Sequence, residues 1–160
     1  MIKLIIKNKI MITAQDVFKL RQITGAGMMD AKKALEEASG NFEKAQEILQ
    51  SKYVEKAEKK ADRETKEGFV GTYVHNGKTA ALVALACETD FVARNDEFRE
   101  LAQNIALHIT ALIAEDASIQ DILDSSYIKD PSLTISELLK TKIGVLGENI
   151  QITGFKKISL

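Results

Sequence analysis

Cys87, His75 and Asp90 are the residue types from which a thiol nucleophile, its base and an orienting carboxylate are built. Nothing in their order fixes a shared geometry. Cys87 ends an apolar run, has Glu88 beside it and has no cationic neighbour in sequence, so nothing there would lower its pKa, and the thiol reads as inert. With one cysteine and only His75 and His108 as imidazoles, the ligand spacing of structural zinc is also missing, and neither a metal nor a cofactor is expected. Phe91 is the residue that stands out. It lies in Thr89-Asp90-Phe91-Val92-Ala93-Arg94-Asn95, a connection between a strand-like run and an amphipathic helix that ought to be polar. Its side chain is either tucked beneath a loop or offered to another molecule.

The remaining chain must position that stretch. At 160 residues with 45% hydrophobic content it can bury a core. Lys plus Arg (22) nearly cancel Asp plus Glu (23), so no cationic field is available to hold a nucleic-acid backbone. No apolar run approaches the ~20 residues of a membrane span. The opening ten residues are apolar and basic without the features of a secretory signal or transit peptide, and read as an extension ahead of a second start at Met11.

Helical spacing predicts three short helices over 11–51. The first is capped by Thr13, turns Val17, Leu20 and Ile23 or Thr24 inward, and stops at Gly25-Ala26-Gly27. The second buries Ala31, Ala34, Leu35 and Ala38, and the third, capped by Asn41, buries Phe42, Ala45, Ile48 and Leu49. Met28 and Met29 sit at a corner where smaller residues already supply the inner face, and methionine is over-used on binding surfaces. The mixed-charge run over 52–67 reads as a solvated linker helix.

The core is expected over 68–160. Asn76-Gly77 between two strand-like runs is a hairpin signal. A two-residue loop would put Val70, Thr72 and Val74 on one face with Thr79, Ala81, Val83, Leu85 and Cys87. Phe98, Leu101, Ala102, Ile105, Ile109 and Leu112 form the stripe of a covering helix that starts at Asn95 or Asp96, with His108 beside the stripe. Ser118 to Leu123 fits one more turn of helix. Thr134-Ile135-Ser136-Glu137 is a capping box opening another, and the alternation around Ile150 and Ile152 supplies a third strand. The fold class is α+β: a three-helix bundle, a charged linker helix, and a three-stranded antiparallel sheet covered by helices.

Four stretches then stand in order: Thr24 to Asp30 (TGAGMMD) with Lys32-Lys33-Ala34-Leu35, Lys59 to Glu64 (KKADRE), Thr89 to Asn95 (TDFVARN), and Gly147 to Ile150 (GENI). Together they resemble the elongation factor Ts family, the guanine-nucleotide exchange factors of elongation factor Tu. The resemblance implies that the bundle is like a ubiquitin-associated domain and docks on the GTPase through Leu20, Arg21, Met28 and Met29. It implies that Thr89, Asp90, Phe91 and Val92 form a second contact, with Phe91 wedged between helices of the GTPase to disturb its magnesium and phosphate-binding loop, and that Leu146 and Gly147 form a third.

It also implies a cytoplasmic protein, or one of a plastid or mitochondrial matrix, and a possible homodimer through the core sheet. Two departures stand out. Longer family members carry a second core module or a longer insert after the helix holding His108, and the last strand has Thr153-Gly154 where an arginine pair is usual. The rival expectation is a protein-binding or dimerisation module without exchange activity.

Overall fold

A computed structural model describes residues 11–160; the expected extension over 1–10 lies outside the described residues. The protein is mixed helix and sheet and divides into two compact units, one ending at Lys52 and the other running Tyr53–Leu160.

In the first unit, α1 (Ala14–Thr24) opens on a capping box in which Thr13 and Asp16 exchange hydrogen bonds, and it closes at Gly25, whose φ of 69° suits a residue without Cβ. α2 (Met28–Glu37) follows Gly27, and α3 (Phe42–Glu58) begins after Asn41, whose Oδ1 accepts from Lys44 N at 3.0 Å. Val17, Leu20, Ala26, Ala31, Ala34, Leu35, Ala45 and Leu49 make the core. Ile23 is 57% exposed and so does not point inward, which corrects one of the two inward positions weighed for α1.

α3 continues through Tyr53 to Glu58, and turns over 59–63 lead to the first strand. The separate linker helix expected over 52–67 is therefore not formed. The helix ends where Ala57, the last inward apolar side chain, enters the core of the second unit, and the charged residues beyond it have no face to bury.

The second unit is built on a three-stranded antiparallel sheet in the order β1 (Glu67–His75), β2 (Thr79–Cys87), β5 (Gln151–Ser159). Asn76 and Gly77 both have positive φ and Lys78 N closes the turn onto His75 O, as the Asn-Gly signal requires. His75 nevertheless pairs with Thr79, which leaves Lys78 as an extra residue in the loop. That one-residue slip reverses the facing expected from a two-residue loop. Phe69, Gly71 and Tyr73 pair with Leu85, Val83 and Ala81 on the buried face, while Val70, Thr72 and Val74 pair with Ala84, Leu82 and Ala80 on the open one.

α5 (Asp96–Leu112) covers the buried face with Phe98, Leu101, Ala102, Ile105 and Ile109. Leu112, the last residue of the helix, is 57% exposed, and Ile113 closes the stripe in its place. Helix and strand approach most closely at Gly71, where a Cβ would collide with the backbone of Ala102. α4 (Asp90–Ala93) precedes α5. Beyond it lie α6 (Ile119–Asp124), the small hairpin of β3 (Ser126–Tyr127) with β4 (Asp130–Thr134), and α7 (Ile135–Leu146). Tyr53 packs so tightly on α7 that a Cβ at Gly144 would meet its ring.

His108 is fully buried under α6 and β3. Its Nδ1 accepts from Ile128 N at 3.2 Å, so Nε2 carries the proton toward Ser125 Oγ at 2.7 Å, and that hydroxyl donates to Ile122 O at 2.6 Å. Burial holds the imidazole below its ordinary pKa. Its role is to tie the β3 segment to α5.

Candidate functional site

The stretch around Phe91 is a single helical turn and not an open loop. Thr89 Oγ1 accepts from Val92 N at 3.4 Å, Ala93 N donates to Thr89 O at 3.1 Å, and Arg94 N donates to Asp90 O at 3.0 Å. Four residues of helix do not hold together alone, since nucleation outweighs one or two hydrogen bonds. Burial supplies the rest: Val92 and Ala93 point into the core at 5% and 7% exposure. A helical turn that sends 92 and 93 inward must send 90 and 91 outward. Phe91 is 80% exposed, so the ring is not tucked beneath the turn. Asp90 is exposed beside it and pairs with Arg94 at 3.1 Å, an open ion pair that contributes little to stability.

The base of this turn is held by residues distant in sequence. Gly147, with φ 81°, ends α7 in the left-handed conformation and turns the chain so that Glu148 reaches the end of β2. Glu148 Oε2 accepts from both Glu88 N and Thr89 N at 3.0 Å, and its Oε1 accepts from Thr89 Oγ1 at 2.5 Å. In return Glu88 Oε1 accepts from Asn149 N at 2.7 Å. Asn149 is buried and donates through Nδ2 to Arg63 O at 2.7 Å and Ala61 O at 3.2 Å.

Cys87 lies beneath this cluster with its thiol on Thr89 O at 3.3 Å; burial and then the Glu148 charge push it up to about 11. His75 sits at the far end of the β1–β2 hairpin, ~26 Å away at the usual rise per residue. A catalytic grouping of Cys87, His75 and Asp90 is not assembled. Among the described residues no group of His, Cys, Asp and Glu is placed to hold a metal ion, and no helix is long and apolar enough to cross a membrane.

The first unit presents its own surface. Met28 and Met29 are 45% and 64% exposed on the first turn of α2, and Arg21 is exposed on α1. Leu20 is fully buried, and Val92 nearly so. Both side chains are packed in a core, whereas the neighbouring Arg21 and Phe91 are exposed. Leu146 is half-buried and Gly147 exposed at the end of α7. Phe18, 49% exposed, is a further apolar side chain on the bundle surface that sequence reasoning did not single out, and Ile23, expected inward, is another. The strongest omission is Glu148, which stood in the GENI stretch, where a carboxylate next to a helix-ending glycine was the available signal.

Comparison with known proteins gives a consistent picture. A family model described as Elongation factor TS matches residues 88–160. Elongation factor Ts of Aquifex aeolicus is 47% identical over 148 residues, covering 90% of this chain and 51% of that relative. The chain thus spans about half the length of that relative. Elongation factor Ts of Fervidobacterium nodosum is 40% identical over 93% of this chain and 98% of its own length, and the chloroplastic elongation factor Ts of Rhodomonas salina is 39% identical over 93% and 89%. The Fervidobacterium alignment runs over 193 positions and takes in 93% of the 160 residues here, about 149, so about 44 positions face no residue of this chain. With a near-full-length relative at this identity, and with the TDFVARN turn seated on the GENI corner, the chain belongs to the elongation factor Ts family.

Proposed function

We propose that this protein is a guanine-nucleotide exchange factor that binds elongation factor Tu carrying GDP and promotes release of the nucleotide, with no covalent chemistry of its own. The observation that carries the reading is the 80% exposed Phe91 ring on a turn anchored in the core. A partner accelerates GDP loss only to the extent that it binds the nucleotide-free GTPase more tightly than the loaded one. A rigid aromatic inserted near the magnesium and phosphate-binding loop makes that distinction, because the displaced loop and the bound nucleotide compete. Met28, Met29 and Arg21 supply docking that does not depend on nucleotide state, and Leu146 and Gly147 extend the contact beside Phe91. The bundle (11–51) is the docking domain and the unit beyond it the exchange module. The test is release of labelled GDP from elongation factor Tu: Phe91→Ala is expected to keep the fold and lose most of the acceleration, and release at the parental rate would overturn the wedge.

The open sheet face supports a homodimer through the core. Val70, Val74, Leu82 and Ile158 are 54%, 63%, 49% and 66% exposed on one face, and neighbouring exposed apolar side chains of this kind suit a protein contact. A second copy packed sheet to sheet would cover it and supply contacts that a shorter chain lacks. Val74→Lys is expected to shift the sedimenting species to a monomer; an unchanged mass would contradict this. Relatives named from bacteria and from a chloroplast favour a bacterial cytoplasm or an organelle of bacterial descent as the compartment.

A further inference from the structure

We propose that Glu148 is a positioning residue for exchange, a carboxylate clamp that sets the direction of the Phe91 ring; this rests on the reading of Phe91 as the wedge. The turn that carries Phe91 has only four helical residues, and its orientation depends on what holds Glu88 and Thr89. Glu148 takes both of their backbone N–H groups and the Thr89 hydroxyl proton. Because that proton is committed to Glu148, the lone pairs of Thr89 Oγ1 are left facing Val92 N, which is the cap that starts the turn. The Glu88 carboxylate answers by taking Asn149 N–H, so segments 88–89 and 148–149 are bridged in both directions. Three donors on one carboxylate make a charge-assisted clamp that an amide reproduces only in part and alanine not at all.

The chain contains no tryptophan, so Phe91→Trp places a single reporter at the wedge. Time-resolved anisotropy of that indole is expected to show little local motion in the parental background, clear additional motion with Glu148→Ala, and an intermediate amount with Glu148→Gln. The isosteric Gln variant keeps the measurement meaningful if Ala weakens the fold. In GDP-release assays with Phe91 retained, Glu148→Ala should lower the maximal rate at saturating factor by roughly 10- to 100-fold, the scale of lost hydrogen bonds to a charged group. The half-saturating concentration should hardly move. In the Phe91→Ala background, Glu148→Ala should cost nothing further, since the clamp acts through the ring. Unchanged indole motion in both Glu148 variants, or a full additional loss in the Phe91→Ala background, would overturn the clamp. A parental rate in Phe91→Ala itself would instead remove the wedge, and the anisotropy would still decide whether Glu148 holds the turn.

Discussion

Met28 and Met29 stand on the first turn of a helix whose N-cap, Gly27, offers no side-chain hydrogen bond, whereas Phe91 stands on a turn capped by Thr89 and gripped by Glu148. The methionines are unbranched and adaptable, and both are exposed. The phenylalanine has two rotatable bonds and a base tied to α7, β2 and the turn after α3. Both regions expose apolar surface, yet one suits a contact that adjusts to its partner and the other a contact that forces its partner to adjust. That difference is what an exchange factor requires: binding that tolerates both nucleotide states, and a rigid element that favours one.

Changes that separate the two regions test the comparison. The largest effect is expected from Phe91→Ala, which removes a hot-spot ring of ~2 to 4 kcal/mol and slows maximal GDP release by roughly 30- to 1000-fold. The melting temperature should be nearly unchanged, because the ring is not packed. Next in size is Gly71→Ala. Its new methyl must displace the Ala102 backbone, an overpacking cost of about 1 to 3 kcal/mol measured by denaturant unfolding of the core. Exchange should fall only as the folded fraction falls.

Met28→Ala with Met29→Ala should weaken docking by about 1 to 2 kcal/mol, read as a roughly 5- to 30-fold higher half-saturating concentration at an unchanged maximal rate. The smallest effect concerns pH. The imidazole of His108 has a depressed pKa in the fold, so its contribution is present above the unfolded value of 6.5 and is lost as pH falls through the folded one. The carboxylates of Asp16, Asp121 and Glu137 are lowered by their Thr and Ser caps and lose their contribution only in the more acid carboxylate range. Thermal melts of the core should therefore decline between pH 7.5 and pH 5.5, and His108→Gln should flatten that decline.

Local signals in the sequence reached a definite depth. Thr13, Asn41 and Thr134 cap the helices expected of them, Asn76-Gly77 makes its turn, and the Phe98 to Ile109 stripe covers the sheet. These depend on neighbours within a few residues. The extra residue at Lys78 was not legible, because either register of a strand pair with apolar residues on both faces satisfies the same pattern; the register formed is the one that places Gly71 against the Ala102 backbone. The β3–β4 hairpin is too short to leave a period. At the candidate site the resemblance marked Leu20 and Val92, and both side chains are buried, as helical spacing had already implied for Leu20. Glu148 stayed hidden for a further reason. Its bonds to Glu88 and Thr89 span about sixty residues of chain, and no local periodicity encodes a contact of that range.

The central claim is that exchange depends on Phe91 and docking on the methionines. Stopped-flow release of fluorescent GDP from elongation factor Tu, at increasing concentrations of the parental protein, Phe91→Ala and the Met28→Ala, Met29→Ala pair, tests it most directly. The account predicts that Phe91→Ala lowers the plateau rate with little change in the half-saturating concentration, while the methionine pair does the reverse. A Phe91→Ala plateau equal to the parental one would contradict it.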